Sequence, residues 1–167
     1  YKNWVIGGTS YAHNAIKSST ILFSDNGKNW HSTHHMPDVI SNTAAIDGIA
    51  FGNENDGTSL YVAVCSWVQG IGKNIVYSKT GTSWQLSRGN GTCFNYGSFA
   101  TQGNAVAYGT SSNGNHMWVA TGQGAAADSG FNNLLFSYGA NAGTCWMNSH
   151  SSGDVFGIWG SGVAFGR

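Results

Sequence analysis

The side chains able to do chemistry are few and widely spaced. The acidic residues are Asp25, Asp38, Asp47, Glu54, Asp56, Asp128 and Asp154, with Glu54 the sole glutamate. Cleaving a glycosidic bond requires two carboxyl groups roughly 5–10 Å apart across the bond. Asp128 and Asp154 lie in loop-like sequence and could converge, but many such pairs arise by chance. No G-x-S-x-G marks a nucleophilic serine. His31, His34 and His35 resemble part of a metal cluster, yet Pro37 places the segment in a loop, and they are read as surface histidines. Asn53-Glu54-Asn55-Asp56-Gly57 is acidic enough for calcium but lacks the bidentate glutamate that ends a calcium loop, and reads as a hairpin turn. Neither a catalytic set, a metal nor a cofactor is expected.

A second class of candidates is aromatic and amide-rich. Sugar recognition needs flat apolar planes for C–H faces and amides or carboxylates for hydroxyls. Trp67, Trp159, Tyr11, Tyr96, Gln69, Asp128 and Asp154 supply both kinds of group. His13, Phe94, Asn95, Gln102 and His150 stand near them in sequence. Trp67 and Trp159 carry the most weight, because neither occupies a recurring position in the chain. Packing of these long aromatic segments on one another is the competing explanation.

The elements that must position them come from a repeat. Gly48-Ile-Ala-Phe-Gly52 recurs as Asn104-Ala-Val-Ala-Tyr-Gly109 and as Gly162-Val-Ala-Phe-Gly166, with Phe51, Tyr108 and Phe165 each 57 residues apart. Trp4-Val-Ile-Gly-Gly8 recurs as Tyr61-Val-Ala-Val-Cys65 and Trp118-Val-Ala-Thr-Gly122, with the same period of 57. A third element runs Ile21–Ser24, Ile75–Ser78 and Leu134–Ser137, each followed by a turn and a tryptophan: Trp30, Trp84, Trp146. Short Val-, Ile- and aromatic-rich runs bounded by Gly, Asn and Ser are strands. Each unit therefore reads as four strands, called A, B, C and D, centred near Ala50, Val62, Val76 and Trp84 in the second copy. No helix is expected. The units span 1–47, 48–103 and 104–161, and 162–167 adds one more strand of type A to a single repeat domain, 1–167. The long B–C and D–A connections hold the aromatic and amide candidates.

Ser24-Asp-Asn26-Gly27-Lys-Asn-Trp30 and Ser78-Lys-Thr80-Gly81-Thr-Ser-Trp84 both fit S-x-x-G-x-x-W. The polar residue two after the serine can bond the turn's backbone, and the glycine supplies a positive φ. This pattern resembles the Asp-box, or BNR, hairpin of sialidase-like β-propellers, and the order of the three strand motifs is similar to theirs. The resemblance implies an all-β propeller built from three four-stranded repeats of about 57 residues, with a β-trefoil as the alternative. Asn26 and Thr80 stand where that family has Asp, and Ser137 to Trp146 holds three extra residues, a degraded or remodelled box. The family's hydrolases use an arginine triad and a tyrosine–glutamate pair. Only Arg88 and Arg167 are present, which opposes that activity.

In a propeller the last strand, 162–167, completes a blade begun at the amino terminus. Three blades are fewer than the usual four to eight. Two copies closing a six-bladed ring, an open polymer, or membership of a longer chain are the ways out. Seven basic residues balance seven acidic ones, and charged residues make up only 8%. Such a chain has no surplus with which to neutralise phosphates, so nucleic acid is not an expected partner. No apolar run reaches the roughly 20 residues of a membrane span. Low charge, small polar residues and a start at Tyr1 point to an extracellular or virion surface. Asn90-Gly91-Thr92 is a glycosylation sequon. Cys93 and Cys145 are the possible disulfide, with Cys65 a buried thiol. The expected function is glycan binding by a lectin-like, non-enzymatic module, with a structural filament, sheath or fibre subunit as the alternative.

Overall fold

The recurring apolar runs become strands because alternate side chains point to opposite faces, except the last: residues 162–166, expected as a further A-type strand, lie beside the preceding A-type run without strand pairing. The computed structural model describes residues 3–9, 20–33, 45–66, 74–87, 102–123, 133–138, 143–149 and 160–166. They form β1 (Trp4–Gly7), β2 (Ile21–Ser24), β3 (His31–Ser32), β4 (Ile46–Asn53), β5 (Ser59–Cys65) and β6 (Ile75–Ser78). The remaining strands are β7 (Gln85–Leu86), β8 (Gln102–Thr110), β9 (His116–Gln123), β10 (Leu134–Tyr138) and β11 (Met147–Asn148). There is no helix among the described residues. The strands make three antiparallel sheets, ordered β1-β2-β3, β4-β5-β6-β7 and β8-β9-β10-β11. None of the three closes into a barrel.

The register repeats from sheet to sheet. In the second sheet Phe51 lies opposite Tyr61 and Ala50 opposite Val62. In the third, Tyr108 lies opposite Trp118 and Val106 opposite Ala120. Each of these strand pairs carries an irregularity near its start, between Ile46 and Gly48 and between Gly103 and Ala105.

Strand β5 explains why the sheets stack. Leu60, Val62 and Val64 enter one core with Val106, Trp118, Leu135 and Trp146. The alternating residues Tyr61, Ala63 and Cys65 enter a second core with Ile21, Ile46, Val76 and Trp84. One strand thus feeds both neighbours, and β5 is buried on both faces. A strand in that position reads as a continuous apolar run rather than as alternation, as Leu60-Tyr-Val-Ala-Val-Cys65 does.

The A-type strands β4 and β8 contain glycine where backbones or rings come close. A methyl group at Gly48 would sit 3.1 Å from Ala105 Cα, and one at Gly52 would sit 2.2 Å from the Tyr108 ring. A backbone bond also ties the first two sheets together, Ile46 N–H donating to Gly8 O (3.1 Å), while Ser66 N–H donates to Ala45 O (2.9 Å) and extends the β4–β5 ladder. The 54–58 turn is a hairpin: Asp56 Oδ1 accepts from Thr58 N (2.7 Å), and Gly57 takes φ 83°.

Candidate functional site

The C–D hairpins are the best-defined local motif. Ser24 Oγ accepts from Gly27 N (2.9 Å), and Asn26 Oδ1 accepts from Lys28 N (2.8 Å) and Asn29 N (2.9 Å). Asparagine serves here because the turn needs an acceptor, not a charge. In the second hairpin Ser78 Oγ accepts from Gly81 N (2.8 Å), and Thr80 Oγ1 accepts from Thr82 N (3.2 Å). Trp84 Nε1 closes it by donating to Gly81 O (3.1 Å).

The third hairpin keeps the same bonds across its longer loop. Gly143 N donates to Ser137 Oγ (2.8 Å), and Trp146 Nε1 donates to Gly143 O (3.2 Å). Gly27, Gly81 and Gly143 have φ of 72°, 79° and 81°. The extra residues therefore precede Gly143 and leave the G-x-x-W half in its usual geometry. Remodelled describes this hairpin; degraded does not, because its serine, glycine and tryptophan bonds persist. These residues hold the scaffold and face the end of the sheets opposite the long connections.

Those connections all leave from one end, because each sheet is an antiparallel meander. Their roots are equivalent. Gly8 N donates to Thr20 O (2.9 Å), Cys65 N to Asn74 O (2.9 Å) and Gly122 N to Asn133 O (3.1 Å). Ser66 pairs with Gln102 across two sheets, and Ser66 Oγ accepts from Ala45 N (2.7 Å). The site residues expected there, Tyr11, Trp67, Gln69, Tyr96, Asp128, Asp154 and Trp159, lie outside the described residues, as do Asn90, His34 and His35.

Gln102 belongs to the scaffold. It opens β8, and its amide donates to Asn104 Oδ1 (2.5 Å), while Asn104 Nδ2 donates to Gly160 O (2.7 Å). β4 begins at Ile46 and β8 at Gln102, each with an irregularity in its pairing just inside that end. Among the described residues, Thr121 Oγ1 and Asn133 Oδ1 are buried at this end without a hydrogen-bond partner.

Cys145 is disulfide-bonded, and Cys65 is a free, fully buried thiol. The expected partner, Cys93, lies outside the described residues. Burial, with a smaller contribution from the Asp47 charge, pushes the Cys65 thiol up to about 12. Burial also holds the Asp47 carboxyl above the usual carboxylate range. At pH 8 Cys65 is therefore protonated as well as enclosed, and thiolate is the reactive form. Ellman's reagent should detect no Cys65 thiol in the folded protein and one per chain once denaturant is added.

Glu54 sits in the β4–β5 turn at the end away from the long connections, and is only 6% exposed. Burial raises its carboxyl above the ordinary value against the opposing pull of Lys79. That position separates the only glutamate from the aromatic connections.

One feature the residue types alone do not disclose is an apolar groove along β1. It has a volume of about 510 Å³ and is lined by Asn3, Trp4, Val5, Ile49, Phe51 and Tyr61. A second cavity of about 260 Å³ continues it beside Ile6, Gly7, Ile46 and Gly48. The sequence signal for it is Trp4, which has the repeat position of Tyr61 and Trp118. No model of a known protein family matches the chain, and no curated protein matches it by sequence.

Proposed function

We propose that this chain is an extracellular, non-enzymatic, carbohydrate-binding module of the β-propeller type, with Asp-box-like hairpins and several weak glycan sites on one face. The observation that carries this reading is the common origin of the long connections. The roots of these connections lie at corresponding places in three like sheets, and the sequence of the connections holds Tyr11, Trp67, Gln69, Tyr96, Asp128, Asp154 and Trp159. Stacked four-stranded meanders with glycine-rich inner strands favour a propeller over a trefoil, which requires a closed barrel. The hairpin bonds at Ser24, Ser78 and Ser137 support the Asp-box comparison.

A disulfide at Cys145 fits an oxidising, extracellular setting. The distance in the fold between Glu54 and the long connections speaks against a sialidase-like hydrolase. Repeated weak sites would gain avidity through linkage, and more so if copies assemble.

A glycan screen followed by calorimetry tests the reading. Trp67→Ala and Trp159→Ala should each weaken binding by about tenfold, the loss of roughly 1.4 kcal/mol per aromatic plane. The thermal midpoint should stay unchanged. Binding that survives both substitutions, or no binding to any sugar, would overturn it.

A second reading, a structural subunit of an extracellular filament, sheath or fibre, is favoured by one observation. Trp4 and Ile6 on β1 and Phe165 near the other end are exposed, and an exposed apolar edge is an assembly surface. Fibres in negative stain together with sugar insensitivity would select it.

A further inference from the structure

The three sheets are stacked in chain order, and equivalent residues report where that stack stops. Tyr61 and Trp118 are 5% and 0% exposed, whereas Trp4, at the same repeat position, is 64% exposed. Trp84 and Trp146 are each 2% exposed, whereas Trp30 is only partly buried. The hairpin glycines agree. A methyl group at Gly81 would lie 2.7 Å from Val5 of the preceding sheet, and one at Gly143 would lie 2.4 Å from Leu60 of the preceding sheet. The atoms nearest to one at Gly27 belong to Trp4 of its own sheet, at 3.7 Å. Among the described residues, the first sheet has neither an A-type strand beside β1 nor a neighbour like those that cover the other two.

The missing pieces are present at the far end of the stack. Residues 162–166 take the place relative to β8 that β8 takes relative to β4. A methyl group at Gly52 would sit 2.2 Å from the Tyr108 ring, and one at Gly109 would sit 2.2 Å from the Phe165 ring. Gly160 N anchors this segment by donating to Gly122 O (3.0 Å). Phe165 is nevertheless 47% exposed, while Phe51 and Tyr108 have aromatic cross-strand partners at 4.6 and 4.9 Å.

We propose that residues 162–166 of one chain complete the first sheet of a second copy by pairing antiparallel with β1. The register follows from the other two sheets: Gly162 opposite Gly7, Val163 opposite Ile6, Ala164 opposite Val5, Phe165 opposite Trp4 and Gly166 opposite Asn3. The donated strand fills the groove between β1 and β4, and Phe165 covers Trp4. Gly166 then receives Phe51 of the acceptor copy, as Gly52 receives Tyr108 and Gly109 receives Phe165.

The acceptor is a second copy because donor and acceptor lie at opposite ends of a three-sheet stack. The two ends are complementary surfaces on one chain, which is the condition for a heterologous joint. This inference rests on the repeat-propeller reading but not on carbohydrate binding.

Gly166→Leu is the decisive variant. Among the described residues nothing lies within 4 Å of a methyl group at Gly166, so the single chain should fold with an unchanged thermal midpoint. At the joint the added side chain meets the Phe51 ring, and overpacking of this kind should weaken association by about tenfold to a hundredfold. Sedimentation of the wild-type chain across a dilution series should give twice the 17.6 kDa chain mass for a closed pair, or larger species for an open polymer. Either species, if lost in Gly166→Leu, supports the joint.

Mixing Trp4→Cys with Phe165→Cys and oxidising should give a covalent dimer. A wild-type chain that is monomeric at every concentration would overturn the proposal and assign the groove to further repeats of a longer polypeptide. Assembly indifferent to Gly166→Leu, or a crosslink formed within the double variant's single chain, would also overturn it. Glycan calorimetry on monomeric Gly166→Leu separates the two ideas, since sugar binding by one chain does not depend on the joint.

Discussion

Trp84→Ala should lower the unfolding free energy by about 3–5 kcal/mol, the usual cost of emptying a buried aromatic site. Trp84 is 2% exposed and belongs to the core shared with Ile21, Ile46, Tyr61 and Val76, so its loss opens the contact between the first and second sheets. It also removes the Nε1–H bond to Gly81 O (3.1 Å) that ties the tryptophan to its own turn. Domains of this size are stable by only about 5–15 kcal/mol, so the variant should be close to the limit of folding. Trp30→Ala provides the internal comparison. It occupies the same hairpin position but is only partly buried, and in the dissociated chain it should cost less than half as much. Urea unfolding at a concentration where the chain is monomeric measures both. Equal losses at the two sites would refute the burial argument.

Gly143→Ala should be the next most damaging small change, by about 2–5 kcal/mol, because two separate penalties fall on one methyl group. The first is conformational: Gly143 has φ 81°, where an L side chain collides with its own carbonyl. The second is packing: the methyl group would lie 2.4 Å from Leu60 Cδ2, 3.1 Å from Val62 Cγ2 and 3.2 Å from Trp118 Nε1. All three of these neighbours are fully buried, so none can move into solvent. Gly114→Ala isolates the first penalty, since Gly114 has φ 82° and nothing lies within 4 Å of the added group. It should cost about 1–2 kcal/mol. Thermal unfolding of the two variants side by side gives the packing contribution as their difference. A Gly143→Ala protein no less stable than Gly114→Ala would show that the third hairpin does not bear on the second sheet.

These two contrasts also divide what is local from what is not. The strands of the three units, their order and the period of 57 residues follow from the chain alone, because side-chain alternation and turn chemistry act over a few residues, whereas residues 162–166, read as a strand, have no strand pairing. The hairpins at Ser24 and Ser78 are legible for the same reason: the serine, the acceptor and the glycine lie within four residues of one another. The third hairpin is not, since its glycine lies six residues from Ser137 and its identity emerges only when Gly143 N reaches the serine oxygen. The aromatic and amide residues of the long connections are legible as types, and the fold places the roots of those connections at one end. Their own positions lie outside the described residues.

By itself, then, the sequence determined an all-β chain of three like units with tryptophan-closed hairpins. Only the tertiary structure decided that Trp84 and Trp146 are covered while Trp30 is partly buried and Trp4 exposed. Burial of a repeated residue depends on the neighbouring unit, and among the described residues the first unit has none on its open side.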